Sequence, residues 1–515
     1  MLFYEIMPIN NVIIWRNRYL FLTLRQEIIK IMITSIIGRE FEIECLKKYI
    51  DSNKSEFIAI YGRRRIGKTF LVKELFEGKF SFRITGRENA DIRDQLAGFS
   101  YAMFDYFGDQ AMYENWTEAF RALSKAVERQ KEGTKIIFID ELPWFDTHKS
   151  KFISALEHFW NNWAYYRSDI KLIVCGSAAS WMLNKVINAR GGLHNRVTHK
   201  MLMSPFSLKE VEQYFHRNGF NYEREEIIDS YMAVGGVAYY LTLFDNDKSV
   251  AENINKLCFR KGGELVDEFE KLYKSIFKKS DNHIAVINAI GKVGKGMTRL
   301  DIISTTGIRN NGNLSTILKE LESCEFIRSY LPFGKSRKDR LYQLIDQFSL
   351  FYLRFMNGKA GFGNNHWQQM IGGGEYNAWS GYAFETACLH HIDQMLDGLG
   401  ISGMLNTACS WAYRPTEAAK SNPDLDEDLR KGAQIDLLID RKDKTITMCE
   451  MKYSNTEFEI DKAYDKHVQE RIRIFKKVTK TKKSVSLAYV TPCGLVDNMY
   501  ARKSIRQITA ENLFK

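Results

Sequence analysis

The sequence predicts an α/β chain of several domains, and three observations carry that reading. A Gly-x-x-x-x-Gly-Lys-Thr loop at 62–69 lies between an apolar strand pattern and a helix pattern. Three helical patterns and then two strand-like runs occupy residues 283–345. Nearer the C-terminus, two apolar strand patterns within 432–455 carry Asp436 and Glu450. At 515 residues the chain allows roughly three or four domains of ordinary size.

Composition narrows the class. Hydrophobic residues make up 45% and charged residues 27%, the balance of a globular protein. Only 7 prolines and 34 glycines argue against long disordered linkers. A net charge of +11 favours an anionic partner, mildly for this length. The eight cysteines are scattered without a C-x-x-C pair, so reduced thiols in a cytoplasmic protein are expected, with no structural zinc module. No stretch reaches the ~18 apolar residues of a membrane span. The most apolar one, at the start, is broken by Arg16, Arg18, Arg25 and Lys30 and has no small-residue cleavage site, so neither a membrane anchor nor a signal peptide is expected. Two readings stay open for residues 1–31: an extension upstream of a natural start at Met32, or a loosely packed N-terminal helix.

From Met32 the grammar changes. Ile43, Leu46 and Ile50 share one face of a helix running from about Arg39 to Ile50. Residues 57–62, FIAIYG, form a short buried strand that enters the loop Gly62, Arg63, Arg64, Arg65, Ile66, Gly67, Lys68, Thr69, after which a helix opens at Phe70. Gly62 and Gly67 let the backbone bend round a phosphate, while successive N–H groups and the helix N-terminus supply anion-binding dipoles. Lys68 would reach the β- and γ-phosphates, and the Thr69 hydroxyl would join Mg²⁺. A second buried strand, KIIFID, ends in Asp140-Glu141. Asp140 would hold Mg²⁺, and Glu141 would act as general base on water, so hydrolysis is expected as well as ATP binding. A third strand, KLIVCGSAAS, ends where Ser177 could sense the γ-phosphate or simply cap the next helix.

These segments, with IIGREFE at 36–42, CGSAASWM and LMSPFSLKEVEQYF, resemble the AAA-type ATPases of the archaeal-ATPase family, in the same broad branch as STAND-type signalling ATPases. The resemblance implies an AAA-type core over 32–205, with Ile37, Gly38 and Arg39 beside the adenine. It also implies an arginine finger, with Arg196 the first choice and Arg190 the second. Residues 206–278 resemble the helical lid of that class, although Ala238 stands where relatives carry proline after the glycine pair Gly235-Gly236.

Three helices and a basic hairpin over 279–345 read as a winged helix. Leu314, Ile317, Leu318 and Leu321 form the core face of its third helix, and Lys335, Arg337, Lys338 and Arg340 at the wing could meet phosphates. The alternative is a module that packs on protein.

Within 346–515, Asp436 and Glu450 on adjacent strands are hard oxygen ligands suited to Mg²⁺. Glu450 and Lys452, two apart, point the same way, which would place Lys452 to steer water or stabilise developing charge. Glu385, on a preceding helix, supplies a third acidic side chain. This D…E-x-K pattern resembles the restriction-endonuclease-like fold. Lys462, Lys466, Arg471, Arg473, Lys476 and Lys477, with Lys480, Lys482 and Lys483, add a basic run suited to a phosphodiester. The combined expectation is an ATP- and Mg²⁺-dependent protein, able to form a homo-oligomer, whose C-terminal domain acts on DNA by metal-dependent cleavage. The alternative is an ATP-driven signalling or scaffold switch with a non-cleaving C-terminal domain.

Overall fold

The computed structural model describes residues 36–188, 193, 195–277, 279–358 and 365–515. The segment 1–31 and Arg190 lie outside them. Two compact units emerge. The first holds the described residues up to Tyr61, Gly67–Ser177 and Trp181–Met203; the second holds Gly62–Ile66, Ala178–Ser180 and Ser204–Lys515.

The first unit is a five-stranded parallel sheet flanked by helices. Its strands are β1 (Glu56–Tyr61), β2 (Phe80–Thr85), β3 (Lys135–Asp140), β4 (Ile170–Gly176) and β5 (His199–Leu202), in the spatial order β2-β3-β4-β1-β5. Every residue of β3 and β4 is buried, as near-continuous runs of Ile, Val, Leu and Phe require when helices cover both faces. The helix Trp116–Glu128 shows how the pattern builds the core. Its Asn115 side chain accepts from the Glu118 amide, capping the first turn, while Trp116, Ala119, Phe120, Leu123 and Val127 share the buried face. Trp116 meets Phe152 edge-on at 4.9 Å between centroids. Full burial of side chains this size is worth about 1.5–3 kcal/mol each.

In the second unit, the helices Leu208–Arg217 and Arg224–Val234 follow the P-F-S segment. Ser207 and Glu210 close a capping box at the start of the first. The glycine pair has a steric reason: a Cβ on Gly236 would stand 1.9 Å from the Phe206 carbonyl oxygen, and the Phe206 amide donates to the Gly236 carbonyl at 2.7 Å.

After further short helices and the helix Glu268–Ile276 come helices Asp281–Ile290, Arg299–Thr306 and Gly312–Ser323, with β6 (Met297–Thr298), β7 (Ile327–Tyr330) and β8 (Leu341–Leu344) in the antiparallel order β6-β8-β7. Leu314, Ile317, Leu318 and Leu321 are buried. Between β7 and β8, Lys335, Arg337 and Lys338 are exposed. Arg340 instead turns inward, its Nη1 donating to the Ser329 hydroxyl at 2.8 Å.

The C-terminal sheet is mixed: β9 (Asn406–Tyr413), β10 (Ala433–Arg441) and β11 (Thr445–Met451) are antiparallel neighbours, and β12 (Ser484–Val490) and β13 (Arg506–Ile508) continue in parallel from β11. The helix Lys462–Thr479 makes the crossover between β11 and β12 and packs Val468, Ile474 and Phe475 into a core with Ile435, Leu438 and Met448. No helix among the described residues is long and apolar enough to cross a membrane.

Candidate functional site

Parallel strands bring their carboxyl ends to one edge of a sheet, where ligands of open α/β folds bind. After β1 the backbone turns through positive φ at Gly62 (146°), Arg65 (72°) and Gly67 (94°), and the helix Lys68–Phe76 then begins. Successive positive and negative φ values present amide N–H groups on one side, the arrangement that cradles phosphate. Lys68, at the first helical position, is buried.

The next residue reaches the second acidic strand. Thr69 Oγ1 donates to Asp140 at the end of β3, lying 2.9 Å from Oδ2 and 3.1 Å from Oδ1. Asp140 is only 3% exposed. Burial, and then the neighbouring Glu141, push its carboxyl above the usual range; the Thr69 hydroxyl, the Glu141 amide and Lys68 offset that only in part. A buried carboxylate whose pKa stays raised despite those partners favours further positive charge brought to it.

Glu141 leaves the strand at φ 48°, and its carboxylate is held from β4: Ser177 Oγ donates to Oε2 at 2.8 Å and the Ser177 amide at 3.2 Å. Two glycines permit this crowding. A Cβ on Gly86, just past β2, would lie 2.7 Å from the Glu141 carbonyl, and one on Gly176 would lie 2.7 Å from Met182. The Ser177 partnership with Glu141 was not legible beforehand; a glycine directly after a strand was its only sequence signal.

Gly38 and Arg39 both adopt positive φ, and Arg39 precedes the helix Glu40–Ile50, its Nη1 3.6 Å from Glu42. The Arg196 guanidinium lies 4.8 Å from the centre of the Tyr165 ring. The side chains of Arg63 and Arg65 pair with Asp346 and Glu268. Phe70 is exposed on the first turn of the helix.

At the C-terminal sheet the expected metal trio is not assembled. Among the described residues no group of three His, Cys, Asp or Glu side chains could hold a metal ion. Glu385 and Asp436 do meet, but around Lys295, whose Nζ donates to Glu385 Oε2 at 2.7 Å and lies 2.5 Å from Asp436 Oδ1. Burial and Asp436 push Glu385 up to about 7 despite the lysine. Burial acts on Asp436 in the same direction, yet Lys295, together with hydrogen bonds to Gln434 and Glu385, leaves that carboxyl lowered. A cavity of about 590 Å³ opens over the cluster, lined also by Lys292, Arg354 and Gln434.

Glu450 has other partners. Tyr464 Oη donates to its Oε1 at 2.8 Å, Arg471 Nη2 lies 3.0 Å from Oε2, and Lys452 Nζ lies 3.5 Å from Oε1. The β9–β10 register shifts between Ile435 and Leu438, the stretch that contains Asp436. The β10–β11 register, with Leu437 opposite Cys449, sets Asp436 opposite Glu450, but each carboxylate is held by its own cationic partner. The basic run is also partly neutralised: Arg473 and Lys477 pair with Asp428, Lys477 also with Asp426, and Lys483 with Asp440.

Comparison with known proteins agrees with the first site. Residues 36–244 match the model of an ATPase domain predominantly from Archaea. An uncharacterized protein of Methanocaldococcus jannaschii is 29% identical over 329 residues, covering 62% of this chain and 68% of that protein. An uncharacterized ATP-binding protein of the same organism is 43% identical over 47 residues, 9% of this chain and 80% of its own length. Among solved structures, the Walker-type ATPase of Pyrococcus abyssi is 16% identical at a TM-score of 0.45, covering 62% of this chain and 96% of its own. The Aeropyrum pernix ORC2 protein, solved as ADPNP–ADP complexes, is 12% identical at a TM-score of 0.39, covering 62% and 93%. With its phosphate loop, its Thr69–Asp140 contact and its parallel sheet, the segment 36–244 is a P-loop ATPase domain of the family found predominantly in Archaea.

Proposed function

We propose that the chain is an ATP-hydrolysing switch whose nucleotide state governs a restriction-endonuclease-like C-terminal domain acting on nucleic acid, DNA in the first instance. The observation that carries the ATP reading is the Thr69–Asp140 contact at the end of a phosphate loop, beside a Glu141 oriented by Ser177. Thr69 and Asp140 are a hydroxyl and carboxylate set that fits Mg²⁺, which would neutralise charge on the phosphates. Lys68 and the loop amides would bind the phosphate chain, with Gly38 and Arg39 near the base. Ser177 orients Glu141 for a proton held between it and water. Arg196 would act as finger toward a second copy in a homo-oligomer of this cytoplasmic protein.

The three helices and the β6–β8 sheet support a winged-helix reading, and the exposed Lys335, Arg337 and Lys338 suit phosphate contacts. The helix bearing Glu385, the β10–β11 hairpin with Asp436, Glu450 and Lys452, and the parallel β12 support the endonuclease-like reading. One observation favours the non-cleaving alternative: Lys295 occupies the space between Glu385 and Asp436.

Plasmid and single-stranded DNA, incubated with Mg²⁺ or Mn²⁺ with and without ATP, test the pair of readings. Cleavage that vanishes in Glu450→Ala supports the nuclease. Intact ATP turnover without cleavage leaves the switch.

A further inference from the structure

The sequence GRRRIGKT spends three consecutive arginines inside a phosphate loop. Two of those side chains are held by carboxylates that lie well past residue 244. Arg63, 2% exposed, pairs through Nη1 with Oδ2 of Asp346, itself 3% exposed, and its guanidinium lies 4.9 Å from the centre of the Phe326 ring. Asp346 divides its work between its two oxygens. Oδ1 accepts from the Ser349 amide at 2.9 Å and from the Ser349 hydroxyl at 2.5 Å, capping the helix Gln347–Phe351, while Oδ2 holds Arg63.

Arg65 is held at three points. Its Nη1 lies 2.5 Å from Oε2 of Glu268, a residue 2% exposed whose Oε1 accepts from Tyr240 Oη at 2.8 Å. Its guanidinium lies 4.5 Å from the Tyr239 ring centre, and its carbonyl accepts from the Tyr239 amide at 3.1 Å. Arg65 is also in the left-handed region at φ 72°. A non-glycine residue persists there only where its surroundings over-determine it. Ordering a loop on binding costs affinity, and a loop already fixed avoids that cost.

We propose that Asp346 and Glu268, both outside the ATPase family segment, are positioning residues for nucleotide: by holding Arg63 and Arg65 they fix the phosphate loop in its binding shape. Nucleotide affinity thereby depends on parts of the chain that follow the ATPase domain. The proposal rests on the ATP-binding reading.

The test uses the full chain, a fluorescent ATP analogue with Mg²⁺, steady-state phosphate release and thermal melting. Asp346→Asn keeps an acceptor for the Ser349 cap but loses the charge that holds Arg63. The double variant Arg63→Met with Asp346→Asn removes both buried charges and decides the matter if the single variant does not fold. Glu268→Gln probes the Arg65 arm independently. Each folded variant is expected to bind the analogue about tenfold more weakly, and the single variants Asp346→Asn and Glu268→Gln to raise KM with kcat within about twofold of wild type. A role confined to stability lowers the melting temperature and leaves affinity within twofold, which overturns the proposal. If the wild-type chain itself binds no analogue, the ATP reading fails and takes the proposal with it.

Discussion

Carboxylates stand on apolar strands in both units, but their partners differ in kind. At the end of β3, Asp140 receives a hydroxyl and a backbone amide, and Glu141 receives a serine. In the C-terminal sheet, Asp436 receives Lys295 and Glu450 receives Arg471. The electrostatic consequence follows. Asp140 is raised from the usual carboxylate range, whereas Asp436 is lowered although burial acts on both in the same direction. Hydroxyl donors orient a buried carboxylate without neutralising it, and so leave it seeking a cation; a lysine satisfies it from within the protein. Similar residues on two sheets therefore differ in what they can still bind.

The largest effect that would break this contrast concerns catalysis. Glu141→Gln keeps the shape and the Ser177 contact but removes the proposed base, so ATP turnover should fall by about 10²–10⁴-fold while nucleotide binding persists. Phosphate release and analogue binding on one preparation check this; unchanged turnover removes Glu141 from the mechanism.

A second substitution acts on the other unit. Lys295→Met strands Glu385 and Asp436, and breaking a buried pair costs about 3–5 kcal/mol, fewer here because Lys295 is 27% exposed. Urea unfolding should show the loss, with recovery when Asp436→Asn is added. A stable single variant would mean that the cluster does not depend on its lysine.

The third sharpens the rule about hydroxyl partners. Asp229 accepts from Tyr453 Oη at 2.5 Å and from Tyr376 Oη at 3.3 Å, and burial pushes it up to about 6. The native state holds that proton more tightly than the unfolded chain. The group's contribution to stability is thus complete below pH ~4 and is lost as pH rises through about 6, a difference on the order of 3 kcal/mol. Asp229→Asn should lack this component when unfolding midpoints at pH 4 and pH 7 are compared. An identical pH dependence in both proteins would discard the assignment.

Much of the first site was legible because its parts are close in sequence or obligatory in kind. Gly62 to Thr69 is one continuous loop, and the apolar run Ile136–Ile139 within β3 announced both its burial and the acidic residue at its end. Leu314 to Leu321 declared their core face through helical spacing alone. The C-terminal site was legible only as a list of residues. Glu385, Asp436, Glu450 and Lys452 stand where expected along the chain, but the register shift around Asp436 and the arrival of Lys295 leave no pattern in the sequence.

The sequence by itself determined the phosphate loop, the parallel strands that present it and the helical faces that bury the core, since periodicity and glycine geometry are local properties. Only the tertiary structure decided which charge meets which. Asp346 with Arg63, Glu268 with Arg65, and Lys295 between Glu385 and Asp436 join residues far apart along the chain. Such pairs are selected by packing and desolvation, and no short-range spacing encodes them.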